Sequence, residues 1–265
     1  MNRPLSKLAQ ETGHKARKRF GQNFLIDQGI IHGIVDAVNP RPGEQVVEIG
    51  PGLGALTQPL LERAGHLHVV ELDRDLIARL EKKYTREQMT IHAGDALVFD
   101  FSTLGPELRV VGNLPYNIST PILFHLLDKV EAIRDIHVML QKEVVDRMVA
   151  PPGHSDRSRI SVMLQRYCYL EPLLDVPPES FDPAPKVNSA VVRMIPRPIA
   201  ERLPVDETAL RNVVNAAFSQ RRKMVRNTLK PLLTSELIEA AGVNPTERAE
   251  QLSEADFVAL AKQLA

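Results

Sequence analysis

The pattern of apolar residues predicts an α/β protein: a mostly parallel sheet with an antiparallel edge strand, joined to a small all-helical C-terminal domain. Three observations lead to this fold class. Short apolar runs alternate with amphipathic helical segments as far as residue 140, the rhythm of βαβ units whose sheet is covered on both faces. Beyond residue 150 the alternation loosens and leaves two strand-like runs, 170–176 and 187–195, suited to antiparallel edge strands. Pro196, Pro198 and Pro204 then mark a linker, past which the periodic segments are helical. The expected division is 1–198 for the sheet domain with a basic N-terminal arm and 199–265 for the helical domain.

In chain order, Ile30, Ile31, Ile34, Val35 and Val38 recur at helical spacing and predict a helix over 27–38, ended by Pro40 and Pro42. A strand is expected at 45–49, a helix at 55–63 and a strand at 67–72. Leu76, Ile77, Leu80 and Tyr84 give the next helix its apolar stripe. Short strands follow at 89–92 and 108–111, then a helix at 121–127 and a fifth strand at 133–140. The run Leu108-Arg109-Val110-Val111-Gly112 reads as a buried parallel strand. A helix is expected at 159–169, and the C-terminal helices at 210–218, 224–233, 235–241 and 256–264.

With 43% hydrophobic residues in 265, the chain has the material for a substantial core. No apolar run approaches the roughly 18 residues that span a bilayer, and the basic N-terminus lacks the apolar stretch of a secretory signal, so a soluble, cytoplasmic protein without membrane contact is expected. Cys168 is the single cysteine, which excludes an internal disulfide, and His66-x-His68 on a strand is a poor zinc signal, so no metal is expected. Net charge is +0, yet its distribution is uneven. Arg3, Lys7, Lys15, Arg17, Lys18 and Arg19 face only Glu11 within residues 1–20, and Arg211, Arg221, Arg222, Lys223, Arg226 and Lys230 face no acid within 211–230. Two cationic clusters on an otherwise acidic chain suit a surface that tracks phosphates; Arg17, Lys18, Arg19, Arg221, Arg222 and Lys223 are the candidate RNA contacts.

The motifs with chemical content fall at the carboxyl ends of the expected strands, where sheets of this class bind ligands. Gly50-x-Gly52-x-Gly54 lets backbone approach a ligand closely at a helix N-terminus, and Glu71, 21 residues after Gly50, sits where an acid can accept both ribose hydroxyls of a nucleoside cofactor. These two features fit a nicotinamide or flavin dinucleotide as well as S-adenosylmethionine. Asp95 in Gly94-Asp95-Ala96 can accept from an adenine amino group. Asn113-Leu114-Pro115-Tyr116 separates the alternatives, because hydride transfer has no use for it. An adenine amine is a poor nucleophile whose lone pair is delocalised into the ring. If the Asn113 side-chain oxygen and the Pro115 carbonyl each accept one N–H, the nitrogen is favoured as a pyramid with its lone pair aimed at an electrophile. The same dipoles stabilise the positive charge that develops, and Tyr116 offers a face on which a flipped base stacks. Phe181, on the Pro-stiffened loop Phe181-Asp182-Pro183-Ala184-Pro185, can cover the other face of the base or simply anchor its loop. Cys168 lies outside any loop suited to cytosine C5 methylation.

Together Phe20-Gly21-Gln22-Asn23-Phe24-Leu25, 48–57, 70–73, 94–96, 112–120, 140–143 and 181–190 closely resemble the KsgA/RsmA family of ribosomal RNA adenine dimethyltransferases, and the similarity covers nearly the whole chain. The resemblance implies a Rossmann-like S-adenosylmethionine-dependent methyltransferase sheet. It also implies N6,N6-dimethylation of two adjacent adenosines near the 3′ end of small-subunit (16S) RNA, by a monomer acting on the 30S subunit or its precursor. It assigns Asn23, Leu25, Gly50, Glu71, Asp95 and Asn113 to the cofactor and Tyr116 and Phe181 to the base, and makes 20–25 a segment that folds over the cofactor. The sister Erm group, acting on large-subunit RNA, matches 114–120 and the Phe181 loop less well. One departure stands out: many relatives read Tyr-Gly-Arg-Leu-Ser where this chain has Arg157-Ser158-Arg159-Ile160-Ser161.

Overall fold

In a computed structural model, in which residues 22–264 are described, these form two compact units: 22–145 with 171–196, and 146–170 with 197–264. The first unit is built on strands whose side chains are apolar enough to be buried on both faces. Strands β1 (Phe24–Leu25), β2 (Val46–Ile49), β3 (Leu67–Glu71), β4 (Met89–Ala93), β5 (Leu108–Asn113), β6 (Ile133–Gln141), β7 (Cys168–Val176), β8 (Phe181–Asp182) and β9 (Ser189–Pro196) follow one another along the chain. A seven-stranded sheet has the order β4-β3-β2-β5-β6-β9-β7, and β1 with β8 forms a separate two-stranded ribbon. Strands β4 to β6 of this order are parallel and β9 lies antiparallel to β6, so the mixed sheet is as the sequence predicts.

Helices α1 (Gln28–Val38), α2 (Thr57–Ala64), α3 (Arg74–Lys83), α4 (Ser119–Leu127) and α5 (Lys142–Val149) connect the strands. Helix α1 begins where the Asp27 carboxylate accepts the N–H groups of Gly29 and Ile30, at 2.9 and 3.2 Å, and buries Ile31, Ile34, Val35 and Val38 on one stripe. Helix α5 was not expected. Its buried residues, Val145 and Met148, are a single i, i+3 pair, too short a pattern to read from sequence. The chain leaves β2 toward β3 on one side and the later pair β5 and β6 lies on the other, so β2 and β5 flank the topological switch point, where open α/β sheets bind ligands. Gly112 permits this pairing: a Cβ there would lie 2.8 Å from the Ile49 carbonyl oxygen.

At the opposite end of β5, Arg109 is buried at 6% exposure and pairs in register with Asp135 of β6. Its guanidinium donates to Asp135 at 3.0 and 2.7 Å, to Glu44 at 2.8 Å and to the Val38 carbonyl at the end of α1 at 2.6 Å.

The second unit contains α6 (Arg159–Tyr167), α7 (Glu207–Ala217), α8 (Val225–Thr228), α9 (Ser235–Ala240) and α10 (Glu254–Ala261). Helix α8 is shorter than the expected 224–233, because Pro231 disfavours the helical conformation at Lys230 and the chain turns there. Buried Arg166 ties α6 to its neighbours by donating to Glu207 at 2.6 Å and Glu254 at 3.0 Å. Arg157, in the segment that departs from the usual motif, is also buried. It donates to the carbonyls of Ala150 at 3.0 Å and Leu252 at 3.2 Å, so its guanidinium holds the fold together rather than facing solvent.

Candidate active site

The carboxyl ends of β2, β3, β4 and β5 open onto a cavity of about 1010 Å³, lined among others by Asn23, Leu25, Gly50, Glu71, Asp95 and Asn113. Each residue arrives there for a local reason. Gly50, Gly52 and Gly54 all hold positive φ, at 65°, 58° and 88°, which L side chains rarely adopt. At Gly52 a Cβ would in addition press on the Phe24 ring at 3.2 Å, whereas at Gly50 it would meet nothing within 4 Å. The loop thus keeps its backbone bare toward the cavity as it enters α2.

Glu71 ends β3 with its carboxylate fixed from three sides: Oε1 accepts the N–H groups of Leu72 and Asp73 at 2.9 and 2.8 Å, and Oε2 that of Gly52 at 3.4 Å. Burial raises its pKa, and these three donors oppose the shift. A carboxylate has about four acceptor sites, so a ligand donor can still be accommodated. Asp73 caps α3 through the Asp75 N–H at 3.0 Å. Asp95 caps its own turn, accepting the Leu97 N–H at 2.9 Å.

Asn113 ends β5, and its Nδ2 donates to the Asn23 carbonyl at 3.1 Å. Because a carbonyl can only accept, this bond fixes which way the amide is turned and makes Oδ1 the atom it offers to a ligand. Beyond it the chain turns sharply: the Pro115 carbonyl accepts the Ile118 N–H at 3.1 Å, which leaves one lone pair for another donor. Tyr116, also on the cavity wall, has its hydroxyl 2.6 Å from Ser189 Oγ. The cavity therefore combines a glycine cradle and two acids with an amide oxygen, a carbonyl and an aromatic face.

A family model described as ribosomal RNA adenine dimethylase matches residues 13–265. The chain belongs to this family. Among relatives of the dimethylase is ribosomal RNA small subunit methyltransferase A of Dechloromonas aromatica, 61% identical over 252 residues, covering 95% of this chain and 99% of the relative. The protein of the same name from Thiobacillus denitrificans is 62% identical, again over 95% of this chain and 99% of its own. Among solved structures, a dimethyladenosine transferase from Plasmodium falciparum aligns with TM-score 0.73 at 25% identity, covering 89% of this chain and 95% of that one. The 23S rRNA methyltransferase ErmE aligns with TM-score 0.70 at 25% identity, covering 91% and 99%. These neighbours carry the same Rossmann-like methyltransferase fold, and with the family they set aside the dinucleotide reading of the glycine loop.

Not every expected residue of the dimethylase reaches the cavity. Phe181 is 3% exposed, pairs with Leu25 in the β1–β8 ribbon and lies in the hydrophobic core; its neighbour Asp182, not Phe181, is on the cavity wall. Arg221, Arg222 and Lys223 are exposed on the turn between α7 and α8. Arg17, Lys18, Arg19 and Phe20 lie outside the described residues. Among the described residues no group of His, Cys, Asp and Glu is placed to hold a metal ion, and no helix is long and apolar enough to cross a membrane. His68 instead meets His92 at 3.1 Å, and Cys168 is buried with its thiol pushed up to about 12, unsuited to nucleophilic attack.

One residue at the cavity had no assigned role. Glu48 lies inside the buried β2 run at 2% exposure, accepts the Thr57 hydroxyl at 2.6 Å and has its pKa pushed up to about 7, chiefly by burial and further by Glu71. The signal was legible as an acid inside an otherwise apolar strand. Ser189 falls within the 181–190 motif, and its contact with Tyr116, 73 residues away, has no signal in the sequence.

Proposed function

We propose that this dimethylase transfers methyl groups from S-adenosylmethionine to the N6 amines of two adjacent adenosines near the 3′ end of small-subunit (16S) ribosomal RNA. It acts as a cytoplasmic monomer on the 30S particle or its precursor, with a role in small-subunit biogenesis. The observation that carries the chemistry is Asn113, with its amide turned by Asn23 and set beside Pro115 and Tyr116 in the same cavity as the glycine cradle and Glu71. Relatives at 61% and 62% identity bear a small-subunit name, whereas the large-subunit enzyme stands at 25%, which supports the 30S target.

The cavity fits the cofactor: bare glycine backbone for close approach, buried Glu71 for ribose hydroxyls, and Asp95 for an adenine amine, with Asn23, Leu25, Gly50 and Asn113 completing the wall. When bound, the cofactor supplies an electrophilic methyl carbon on a sulfonium. The residues of the chain do the rest. For the first transfer Asn113 Oδ1 and the Pro115 carbonyl accept the two N–H bonds of the target amine, and for the second one of them accepts the single N–H that remains, each time turning the lone pair toward the methyl group. Tyr116 holds the flipped base by stacking, worth roughly 1 to 3 kcal/mol. No strong base is required, because the methylated ammonium is acidic enough to pass its proton to water.

Residues 199–265 serve in this reading as the ribosome-contacting part, with Arg221, Arg222 and Lys223 against phosphates, and Arg17, Lys18 and Arg19 adding contacts from the arm. Reversing the charge of Arg221, Arg222 and Lys223 together is expected to weaken small-subunit binding and flatten its dependence on salt, with cofactor affinity unchanged. Titration of the binding constant against salt concentration checks this. An unchanged constant and slope would make the cluster a solvated surface.

A further inference from the structure

We infer that Ser189 is a positioning residue for Tyr116, its hydroxyl fixing the aromatic ring in the orientation in which the target base stacks on it. The inference rests on the role given to Tyr116 above. A stacking platform needs only a π face, and phenylalanine would provide one; the phenolic oxygen calls for its own explanation. In the structure it lies 2.6 Å from Ser189 Oγ, and Ser189 is 0% exposed.

The support is rigid where it needs to be. Ser189 is the first residue of β9 and pairs with Gln141 at the end of β6, so its hydroxyl is held by the sheet itself. Tyr116 is held at its backbone end by the turn that the Pro115 carbonyl closes with the Ile118 N–H, and by the Ser119 hydroxyl, which donates to the Tyr116 carbonyl at 3.2 Å. With its backbone set, the side chain keeps rotation about two bonds, and the hydrogen bond at the far end of the ring removes that freedom. Burial raises the phenol pKa, so the group stays protonated and bonded across the working range. A ring already in place does not have to be ordered by the incoming base, and the gain appears in the reacting complex more than in docking of the whole subunit.

A double-mutant cycle of methyl transfer to unmethylated small subunits tests this. Ser189→Ala and Tyr116→Phe are each expected to lower kcat about tenfold, with KM for the subunit little changed, and the double variant to be no slower than either single one. Y116F leaves strand β9 untouched and must show the loss by itself, so a poorly folding S189A does not shelter the inference; affinity for S-adenosylhomocysteine reports the fold of each variant. Losses that multiply in the double variant, or full activity in either single one, would overturn the role of Ser189. Tyr116→Ala addresses the underlying reading separately. An active Y116A removes Tyr116 as the stacking face, whereas an inactive Y116A with multiplying losses removes only Ser189.

Discussion

Asn113→Ala is expected to lower methyl transfer by roughly 10² to 10³-fold, the cost typical of removing one preorganised dipole from the point where charge develops. The loss should fall on kcat. Asn113 ends β5 at the switch point, with Nδ2 committed to the Asn23 carbonyl at 3.1 Å, so alanine deletes the Oδ1 acceptor proposed above to orient the target amine. Backbone support at this corner survives, because the Leu114 N–H donates to the Met139 carbonyl at 3.1 Å whatever the side chain at 113. The exposed cations of the second unit are untouched, so small-subunit binding should persist. Single-turnover transfer alongside equilibrium binding separates the two quantities, and retained transfer would remove Asn113 from the chemistry.

The second large effect is on stability. Arg109→Ala is expected to cost about 3–5 kcal/mol, because it leaves a carboxylate in the interior without its partner. Asp135 is 9% exposed, and the imidazole left beside it, His137 at 3.7 Å, has its pKa lowered to about 4, chiefly by burial, so it is neutral and does not replace the lost charge. The same substitution strips the Val38 carbonyl at the end of α1 of its 2.6 Å donor and leaves Glu44 with Arg134 as its remaining cationic partner. For a protein of this size the loss corresponds to a fall in Tm of roughly 10 °C. Thermal unfolding followed by circular dichroism measures it, and a fall under about 2 °C would show the network to be replaceable.

Much of this architecture is legible in the sequence because its determinants are local. The 108–112 run reads as a buried strand, and it is one, since Val110 and Val111 are fully buried. Arg109 within that run is where local reading stops: its partners Asp135 and Glu44 are 26 and 65 residues away, so the sequence shows the cost of the charge without what offsets it. Phe181 illustrates the same limit. Its loop was legible, but its burial depends on pairing with Leu25 in a ribbon only two residues long, below the length at which strand periodicity can be recognised. The gathering of Gly50, Glu71, Asp95 and Asn113 at one cavity is the most legible part, since each lies at or just past the end of a strand and parallel pairing brings strand ends together. Which way the Asn113 amide turns was not legible, because a backbone carbonyl 90 residues away decides it.

The most direct measurement is transfer of labelled methyl from S-adenosylmethionine to unmethylated small subunits, large subunits and protein-free ribosomal RNA, followed by nucleoside analysis. Label recovered as N6,N6-dimethyladenosine from small subunits alone is the predicted result. Label in large-subunit RNA, or no label in any of the three, would contradict it.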